Sequence, residues 1–327
     1  MTIKPTFTDA TPVTLDAPPL SFLDDVRAGL SKPQKALSPK YFYDAAGSAL
    51  FEAITQLPEY YPTRTEIGIL EACGPEIAAL MPAHAALVEF GSGSTVKLRR
   101  LLHHLDTLAA YVPVDVSGEF LRGQAEVLGG EFGNLPGLRV EPVVADFTRD
   151  FDLPESLHGL PRAGFFPGST IGNFDPHEAE ALLRRFGRIL GPGAHMIVGV
   201  DLVKDAAVLE TAYDDAQGVT AAFNLNLLTR INRELAGRFE PGAFSHRAVF
   251  NTDASRIEMH LVARDAQAVR VGADTFRFAA GETIHTESSY KYTPATFRAL
   301  TERAGWTWLT VWTDPEQLFS VHALRLD

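Results

Sequence analysis

The pattern of apolar and polar positions changes along the chain and predicts two kinds of architecture. Up to residue 80, apolar residues recur at helical spacing over 22–30, 41–57 and 65–80, and a proline-flanked pair of tyrosines at 58–62 separates the last two segments. From residue 85, short apolar runs alternate with amphipathic segments, as expected for a parallel sheet covered on both faces by helices. The strands predicted there are 86–90, 110–114, 138–144, 163–167 and 195–200, and the helices are 95–106, 117–129 and 176–190.

The pattern changes again after residue 201. Alternating apolar and polar positions replace the continuous runs, which indicates antiparallel strands with one face in solvent and therefore an insertion or a second domain. From residue 294 the first pattern returns and ends in two strands that predict an antiparallel hairpin. The elements predicted here are a helical region over 206–235, strands over 246–251, 256–263 and 268–278, a helix over 294–304, and strands over 307–312 and 319–326.

Composition narrows the function classes. The 327 residues are 46% hydrophobic and 21% charged, which suits one large or two moderate globular domains after a loose tail over 1–19. A net charge of −12 argues against a nucleic-acid surface, and no apolar stretch approaches the roughly 18 residues of a membrane span. The single cysteine, Cys73, fits a reducing compartment, so we expect a cytoplasmic protein. The ten histidines lack metal-ligand spacing, so we expect no metal.

A turn formed by Gly91, Ser92 and Gly93 connects a predicted buried strand to a predicted helix. Such a turn begins nucleotide-binding α/β sheets, because glycine lets the backbone approach the ligand closely. Val96 stands where a dinucleotide-binding motif has its third glycine, which disfavours a pyrophosphate cofactor and favours a ligand such as S-adenosylmethionine (SAM). Asp115 ends the second predicted strand, where a carboxylate can hold both ribose hydroxyls of an adenosine.

Further polar residues follow the next predicted strands. Asp146 and Phe147 close the third strand, where a carboxylate could receive the adenine amino group and a ring could stack on the base. Lys97, on the helix after the glycine turn, is a candidate SAM-binding residue that could neutralise a carboxylate, or else it faces solvent. The loop 168–174 follows the fourth strand and carries two glycines and several polar side chains, so we expect it to border the ligand crevice.

Seven short motifs carry a more specific signal. They are KYFYD at 40–44, LPEYYPTRTE at 57–66, EFGSG at 89–93, GSTIGN at 168–173, DLVKD at 201–205, YDD at 213–215 and RIEM at 256–259. In this order they resemble the histidine Nα-methyltransferase family of ergothioneine biosynthesis, and the likeness runs from about residue 20 to residue 327. The predicted fold class is therefore α/β, a Rossmann-like class I methyltransferase sheet with a terminal antiparallel hairpin, plus a second α+β substrate-binding domain.

The resemblance implies a reaction and a set of site residues. The family converts L-histidine to its Nα-trimethyl betaine, hercynine, with three molecules of SAM as the methyl donor. We expect a monomer that acts on this small-molecule substrate, without a nucleic-acid or membrane partner. The implied catalytic and substrate-binding residues are Asn173 and Tyr213 at the histidine carboxylate, Gly168 and Asn173 near the amine, Tyr60, Glu287, Ser289 and Met259 around the imidazole, and Tyr43 and Phe51 as aromatic walls.

Glu287 and Ser289 are chemically suited to that role. A carboxylate can accept a hydrogen bond from a ring N–H, and a serine hydroxyl can complete the set. The Glu-x-Ser spacing puts both side chains on one face of a strand. Tyr43, Phe51 and Phe174 could accommodate the trimethylated cation by cation–π contact, although plain core packing explains Phe51 equally well.

The resemblance also implies a division of the chain, and three alternatives accompany it. Residues 20–63 and 204–290 would form the substrate-binding domain, and residues 64–203 and 291–327 the SAM-binding domain. The same fold could instead methylate another amino acid such as tryptophan, although an indole gains little from Glu287. A non-catalytic sensor of SAM or an amino acid is a second alternative. An NAD-dependent oxidoreductase is disfavoured by the residue at position 96.

Overall fold

The computed structural model describes residues 21–93, 95–118, 121–123, 127–128 and 138–327. The predicted tail and part of the predicted helix 117–129 lie outside these residues. The chain forms two compact units. The first unit comprises Arg64–Leu202 and Tyr292–Asp327, and the second unit comprises the described residues up to Thr63 together with Val203–Lys291.

Both units combine helices with strands. No helix among the described residues is long and apolar enough to span a membrane. The helices are α1 (Phe22–Leu30), α2 (Ala45–Thr55), α3 (Tyr61–Leu80), α4 (Val96–Leu102), α5 (Pro176–Leu190), α6 (Ala206–Tyr213), α7 (Val219–Leu235) and α8 (Pro294–Arg303). The strands are β1 (Lys35–Ala36), β2 (Ala86–Phe90), β3 (Ala110–Asp115), β4 (Arg139–Val140), β5 (Val143–Val144), β6 (Arg162–Phe166), β7 (His195–Asp201), β8 (Phe244–Asn251), β9 (Arg256–Ala263), β10 (Gln267–Val271), β11 (Asp274–Phe278), β12 (Thr283–Tyr290), β13 (Trp306–Thr313) and β14 (Phe319–Leu326).

A sheet with eight described strands organises the first unit. The strand order is β13-β14-β7-β6-β2-β3, with β4 and β5 both paired to β3. Strands β2 to β7 run parallel, whereas β14 runs antiparallel to β7 and β13 runs antiparallel to β14. The predicted class I methyltransferase sheet with its terminal hairpin is thereby confirmed. The strand order reverses between β2 and β6, and in open α/β sheets ligands bind at such a switch point.

Apolar strands and amphipathic helices form the core of the first unit. Every residue of β2 is buried, and the Phe90 ring stacks on Phe186 of α5 with 3.9 Å between the ring centroids. Helix α5 begins with a capping box in which Asp175 accepts from the backbone N–H groups of His177 and Glu178. Trp306 donates from Nε1 to a carbonyl of α5 and so joins the hairpin to that helix.

Three predicted boundaries in the first half of the chain were wrong, each because of one residue. The predicted strand 138–144 is two short strands, because Pro142 has no N–H for the ladder. Helix α3 begins at Tyr61 rather than 65, because Pro62 lies in its first turn, where a missing N–H is tolerated. The predicted helix 41–57 is a 3-10 turn followed by α2, whose first turn is capped by Asp44.

The second unit contains a four-stranded sheet in the order β1-β12-β9-β8. Strand β1 runs parallel to β12, and the other pairs are antiparallel as predicted. The predicted run 268–278 is instead the hairpin β10–β11. The predicted helical region 206–235 is two helices, because the Asp215 carboxylate accepts from the N–H groups of Val219 and Thr220 and starts α7 anew.

Helix capping in the first unit generates a stability prediction. Thr293 caps α8 and accepts from the Thr296 N–H at 3.1 Å, so Thr293→Ala should lower the free energy of unfolding by about 1 kcal/mol. Thr95 precedes α4 but makes no side-chain capping bond, so Thr95→Ala should change the free energy of unfolding by less than about 0.5 kcal/mol. Urea denaturation would compare the two variants. Equal losses would mean that the Thr293 bond does not stabilise α8.

Candidate active site

The glycine turn of the first unit lies at the switch point of the sheet. Gly91 has a φ of +79°, a backbone conformation that favours glycine. The N–H groups of Gly91 and Ser92 donate to the Val114 carbonyl at 2.9 and 3.1 Å, which joins the turn to the end of β3. A Cβ atom at Gly91 would lie 3.2 Å from the Phe147 ring. The turn therefore presents backbone rather than side chain beside an aromatic ring.

The Ser92 side chain points into the interior of the first unit. Its hydroxyl donates to Glu89 at 2.9 Å, and the Tyr111 hydroxyl donates to the same carboxylate oxygen. Burial raises the pKa of Glu89 to about 7, although these hydrogen bonds oppose the shift. The Ser92 side chain thus holds the turn to β2, and the backbone of Ser92 is the part of this residue that could face a ligand. Glu89 was not among the predicted site residues. A glutamate inside an otherwise apolar run is the sequence feature that marks it.

Two carboxylates follow neighbouring strands of the sheet. Asp115 ends β3 and Asp146 comes soon after β5, which pairs with β3 in parallel. Asp115 is half-buried, and burial raises its pKa although the Ser117 N–H, at 2.9 Å, opposes this. Asp146 is exposed and accepts from the backbone and hydroxyl of Thr148. Because carboxyl ends of adjacent parallel strands meet at one edge, both carboxylates border the edge that carries the glycine turn.

Lys97 is paired inside the first unit rather than directed to solvent. Its side chain is 15% exposed, and Nζ lies 2.6 Å from the fully buried carboxylate of Glu66. The Gly168 N–H donates to both Glu66 oxygens, at 3.0 and 2.9 Å. A Cβ atom at Gly199 would lie 1.9 Å from Glu66, so only glycine fits beside it. Lys97 therefore neutralises a carboxylate of the protein itself, not one of a ligand. Glu66 was not among the predicted site residues.

The loop after β6 adopts an unusual backbone. Gly168 and Ser169 are both in the left-handed region, with φ of +79° and +55°. Ser169 holds this conformation with a hydrogen bond, since its hydroxyl accepts from the Asp201 N–H at 2.9 Å. Asn173 ends the 3-10 turn that follows and is half-buried. A non-glycine residue with positive φ at a strand end is a conformation found often at functional sites.

Four of the predicted aromatic residues lie together in the second unit. The Tyr43 and Phe51 rings are 5.7 Å apart between centroids, Phe51 and Tyr60 are 6.3 Å apart, and Tyr60 and Tyr213 are 6.1 Å apart. Phe223 of α7 contacts both Tyr43 and Phe51 from the inside. Tyr43 still exposes 47% of its surface. These residues form a continuous aromatic group with an accessible side.

Glu287 lies on β12, directly after a β-bulge. The bulge separates His285 from Glu287, and His285 Nε2 donates to the Glu287 carbonyl at 2.9 Å. Met259, which is buried, is the cross-strand partner of Glu287. Burial raises the pKa of Glu287 to about 7, and the charge of Lys291 opposes this shift. Desolvation and the nearby Glu287 charge raise the pKa of Tyr43, so the carboxylate lies close to the aromatic group.

A buried lysine completes this face of β12. Lys291 Nζ donates to the Ser289 hydroxyl at 2.8 Å and to the Tyr213 hydroxyl at 3.1 Å. The Tyr213 hydroxyl in turn donates to Ser289 at 3.1 Å. Lys291 was not among the predicted site residues, although it follows directly after β12 and continues the alternation that puts residues 287 and 289 on one face.

Glu258, His260 and His285 also lie together, on β9 and β12, although their sequence spacing gives no metal signal. One ligand atom from each lies within 4.8 Å of the other two. Glu258 is already held by Arg256 at 2.6 Å and by His260 at 2.9 Å. Burial lowers the pKa of His260, and the charges of Arg247 and Arg256 lower it further. Because the same arginine charges oppose a divalent cation, we assign no metal here, and the expected absence of a metal stays a prediction.

Comparison with known proteins decides the family. A family model described as histidine-specific methyltransferase, SAM-dependent, matches residues 22–326. The chain belongs to this family. It is 46% identical over 300 residues to a histidine N-alpha-methyltransferase of Mycolicibacterium smegmatis, covering 89% of this chain and 90% of that protein. It is 44% identical over 308 residues to the protein of the same name from Mycobacterium tuberculosis, covering 91% and 93%.

A fungal relative matches a smaller part of the chain. The ergothioneine biosynthesis protein 1 of Neurospora crassa is 37% identical over 195 residues, covering 58% of this chain and 22% of that protein. The resemblance inferred from the seven motifs is thus confirmed at the level of the family.

The first unit has groups that suit SAM, the methyl donor of this family. Asp115 suits the ribose hydroxyls, because a carboxylate accepts two hydrogen bonds. Asp146 and the Phe147 ring suit the adenine amino group and face, and the Gly91 turn leaves backbone beside that ring. These roles stay predictions, as does the wider list of site residues.

The Lys97–Glu66 pair generates a prediction that separates structure from ligand binding. Lys97→Met should lower the free energy of unfolding by about 3–5 kcal/mol, because it leaves the buried Glu66 carboxylate without its ion-pair partner. Arg100→Met is the matched control on the same helix, since its pair with Glu71 is half-exposed and worth less than about 1 kcal/mol. Chemical denaturation measures both. A Lys97→Met protein that is as stable as the parent but binds SAM poorly would instead show that Lys97 binds SAM.

Proposed function

We propose that this protein transfers methyl groups from SAM to the α-amine of L-histidine and produces hercynine in three steps. The observation that carries the proposal is the pair Glu287 and Ser289 on one face of β12, in a chain that belongs to a histidine-specific family. Two relatives above 40% identity are named histidine N-alpha-methyltransferases, and the fungal relative is named for ergothioneine biosynthesis. We place the reaction in that biosynthesis on this support.

Methyl transfer requires little from the protein beyond alignment. Bound SAM would supply a methyl group on a sulfonium: the lone pair of the neutral amine attacks the methyl carbon in line as the carbon–sulfur bond breaks, and S-adenosylhomocysteine leaves. Holding two reactants in line is worth up to roughly 7–11 kcal/mol. An α-amine titrates near about 8, so a neutral fraction exists without a strong base. In our proposal Asn173 and Tyr213 hold the substrate carboxylate. The Gly168 N–H is engaged by Glu66, so the group that Gly168 would offer the amine is its carbonyl oxygen.

The side chain of histidine would be read in the second unit. Glu287 would accept from a ring N–H, Ser289 would complete the set, and Tyr60 and Met259 would bound the ring. Tyr43 and Phe51 would face the growing positive charge, since an aromatic face attracts a quaternary ammonium. We also propose a cytoplasmic protein, supported by a single, half-buried cysteine that fits a reducing compartment. The monomeric state stays a prediction.

The reaction and substrate can be tested in one experiment. The purified protein is incubated with SAM and an equimolar mixture of the twenty amino acids, and the products are identified by mass spectrometry. We expect a gain of three methyl groups on histidine alone, and no methylated product when S-adenosylhomocysteine replaces SAM. Methylation of tryptophan or another amino acid instead would overturn the assignment of Glu287 and Ser289. Binding of SAM without any methylated product would favour the alternative that the protein is a non-catalytic sensor of SAM or an amino acid.

The division of roles between the two units can be tested with a pair of neutral isosteres. Asp115→Asn should weaken SAM binding roughly ten- to a hundredfold, because hydrogen bonds to a charged group are worth about 1.5–3 kcal/mol. Glu287→Gln should weaken histidine binding by a similar factor and leave SAM binding unchanged. Calorimetry measures both affinities, the histidine affinity in saturating S-adenosylhomocysteine. Each variant is the control for the other, and loss of both affinities in either variant would contradict separate sites.

A further inference from the structure

A closed triangle of hydrogen bonds lies beside Glu287 in the second unit. Lys291 Nζ, the Ser289 hydroxyl and the Tyr213 hydroxyl are 2.8 to 3.1 Å from one another. Ser289 and Lys291 are each 3% exposed, and Tyr213 is 8% exposed. Lys291 also lies 4.9 Å above the Tyr213 ring, which fixes the ammonium in place. The triangle is therefore a rigid, buried arrangement rather than a surface contact.

The chemistry of the ammonium and the geometry of the two hydroxyls fix the directions of these hydrogen bonds. An ammonium has three N–H donors and no acceptor, so Lys291 donates to both oxygens. The Tyr213 hydroxyl donates to Ser289 as well. A serine oxygen has two lone pairs, and these two donors occupy both of them. The capacity that Ser289 keeps is its own O–H, so it can only donate to a neighbouring ligand.

Glu287 has the opposite polarity. It stands two residues before Ser289 on the same strand face, and its ionised carboxylate has only acceptors. The charge of Lys291 favours that ionised form against the effect of burial. Among the described residues, the titratable groups near this pair are Lys291 directly after β12, Tyr213 at the end of α6 with Tyr60 against its ring, and Tyr43 before α2. The face therefore offers one acceptor and one donor, two residues apart.

We propose that Lys291 is a positioning residue that holds Ser289 as a hydrogen-bond donor, so that the protein selects the neutral imidazole tautomer whose N–H faces Glu287. This inference rests on the proposed function. A neutral imidazole has one N–H and one lone pair, which matches a carboxylate on one side and a donor on the other. An imidazolium would direct its second N–H at the occupied oxygen of Ser289. An indole has an N–H but no ring acceptor, so it would leave the Ser289 O–H without a partner.

The test observes the tautomer directly. Histidine labelled with ¹⁵N in the ring is bound to the protein in saturating S-adenosylhomocysteine at pH 8, above the pKa of about 7 of Glu287, so that the carboxylate is ionised. In the parent protein we expect one protonated and one lone-pair ring nitrogen in the NMR spectrum. Lys291→Met should bind histidine about tenfold or more weakly and should give averaged or doubly protonated nitrogens. An imidazolium pattern in the parent protein, or an unchanged pattern in Lys291→Met, would overturn the inference.

Further variants separate this role from a purely structural one. Lys291→Arg keeps a cationic donor and should preserve the spectrum, whereas Ser289→Ala should lose the single tautomer even if Lys291→Met does not fold. Lys204→Met removes another half-buried lysine that donates to a tyrosine, Tyr61, and should leave the spectrum unchanged. If histidine does not bind the parent protein at all, the proposed function fails. If it binds without tautomer selection, only the role of Lys291 fails.

Discussion

One buried ion pair fixes the edge of the first sheet that carries the loop 168–174. The Glu66 carboxylate is fully buried, and such a charge is costly unless it is paired and hydrogen-bonded. Lys97 from α4 and the Gly168 N–H after β6 meet both needs, and β7 leaves room for the carboxylate only because residue 199 is glycine. Two helices, α3 and α4, and two strands, β6 and β7, are therefore held together around one carboxylate. The left-handed loop that carries Asn173 starts from this point.

In the proposed function the second unit has a different task, because it would recognise a polar ring rather than hold a charge. An apolar pocket of the same size would accept many rings. Packing alone distinguishes only weakly between ligands that differ by a methylene or a polar group. Here the aromatic group around Tyr43 and Phe51 lies next to a strand face whose polar side chains have defined directions. Burial gives those directions their value, because an unpaired donor or acceptor inside a protein costs more than one in water.

Much of the fold could be predicted from the sequence, because continuous apolar runs and a glycine turn are local signals. The errors arose where one residue decided the backbone, as Pro142 does in splitting a strand and Asp215 does in starting a helix. The motifs supplied the predicted site residues but not the partners of those residues. Lys97 could equally be assigned to solvent or to a ligand, because Glu66 reaches it only through the tertiary fold. Lys291 has a local signal in its alternation with residues 287 and 289, but its bond to Tyr213 forms only through the tertiary fold.

The order of segments along the chain has a consequence for synthesis. Neither unit is a continuous stretch, since β1 near residue 35 pairs with β12 near residue 284, and β14 covers the edge of β7. A growing chain that has reached residue 201 thus exposes an unpaired edge of the first sheet, and unpaired edges invite association with other chains. That edge is covered only when residues 319–325 have been made. The ribosome must therefore deliver nearly the whole polypeptide before either hydrophobic core can close.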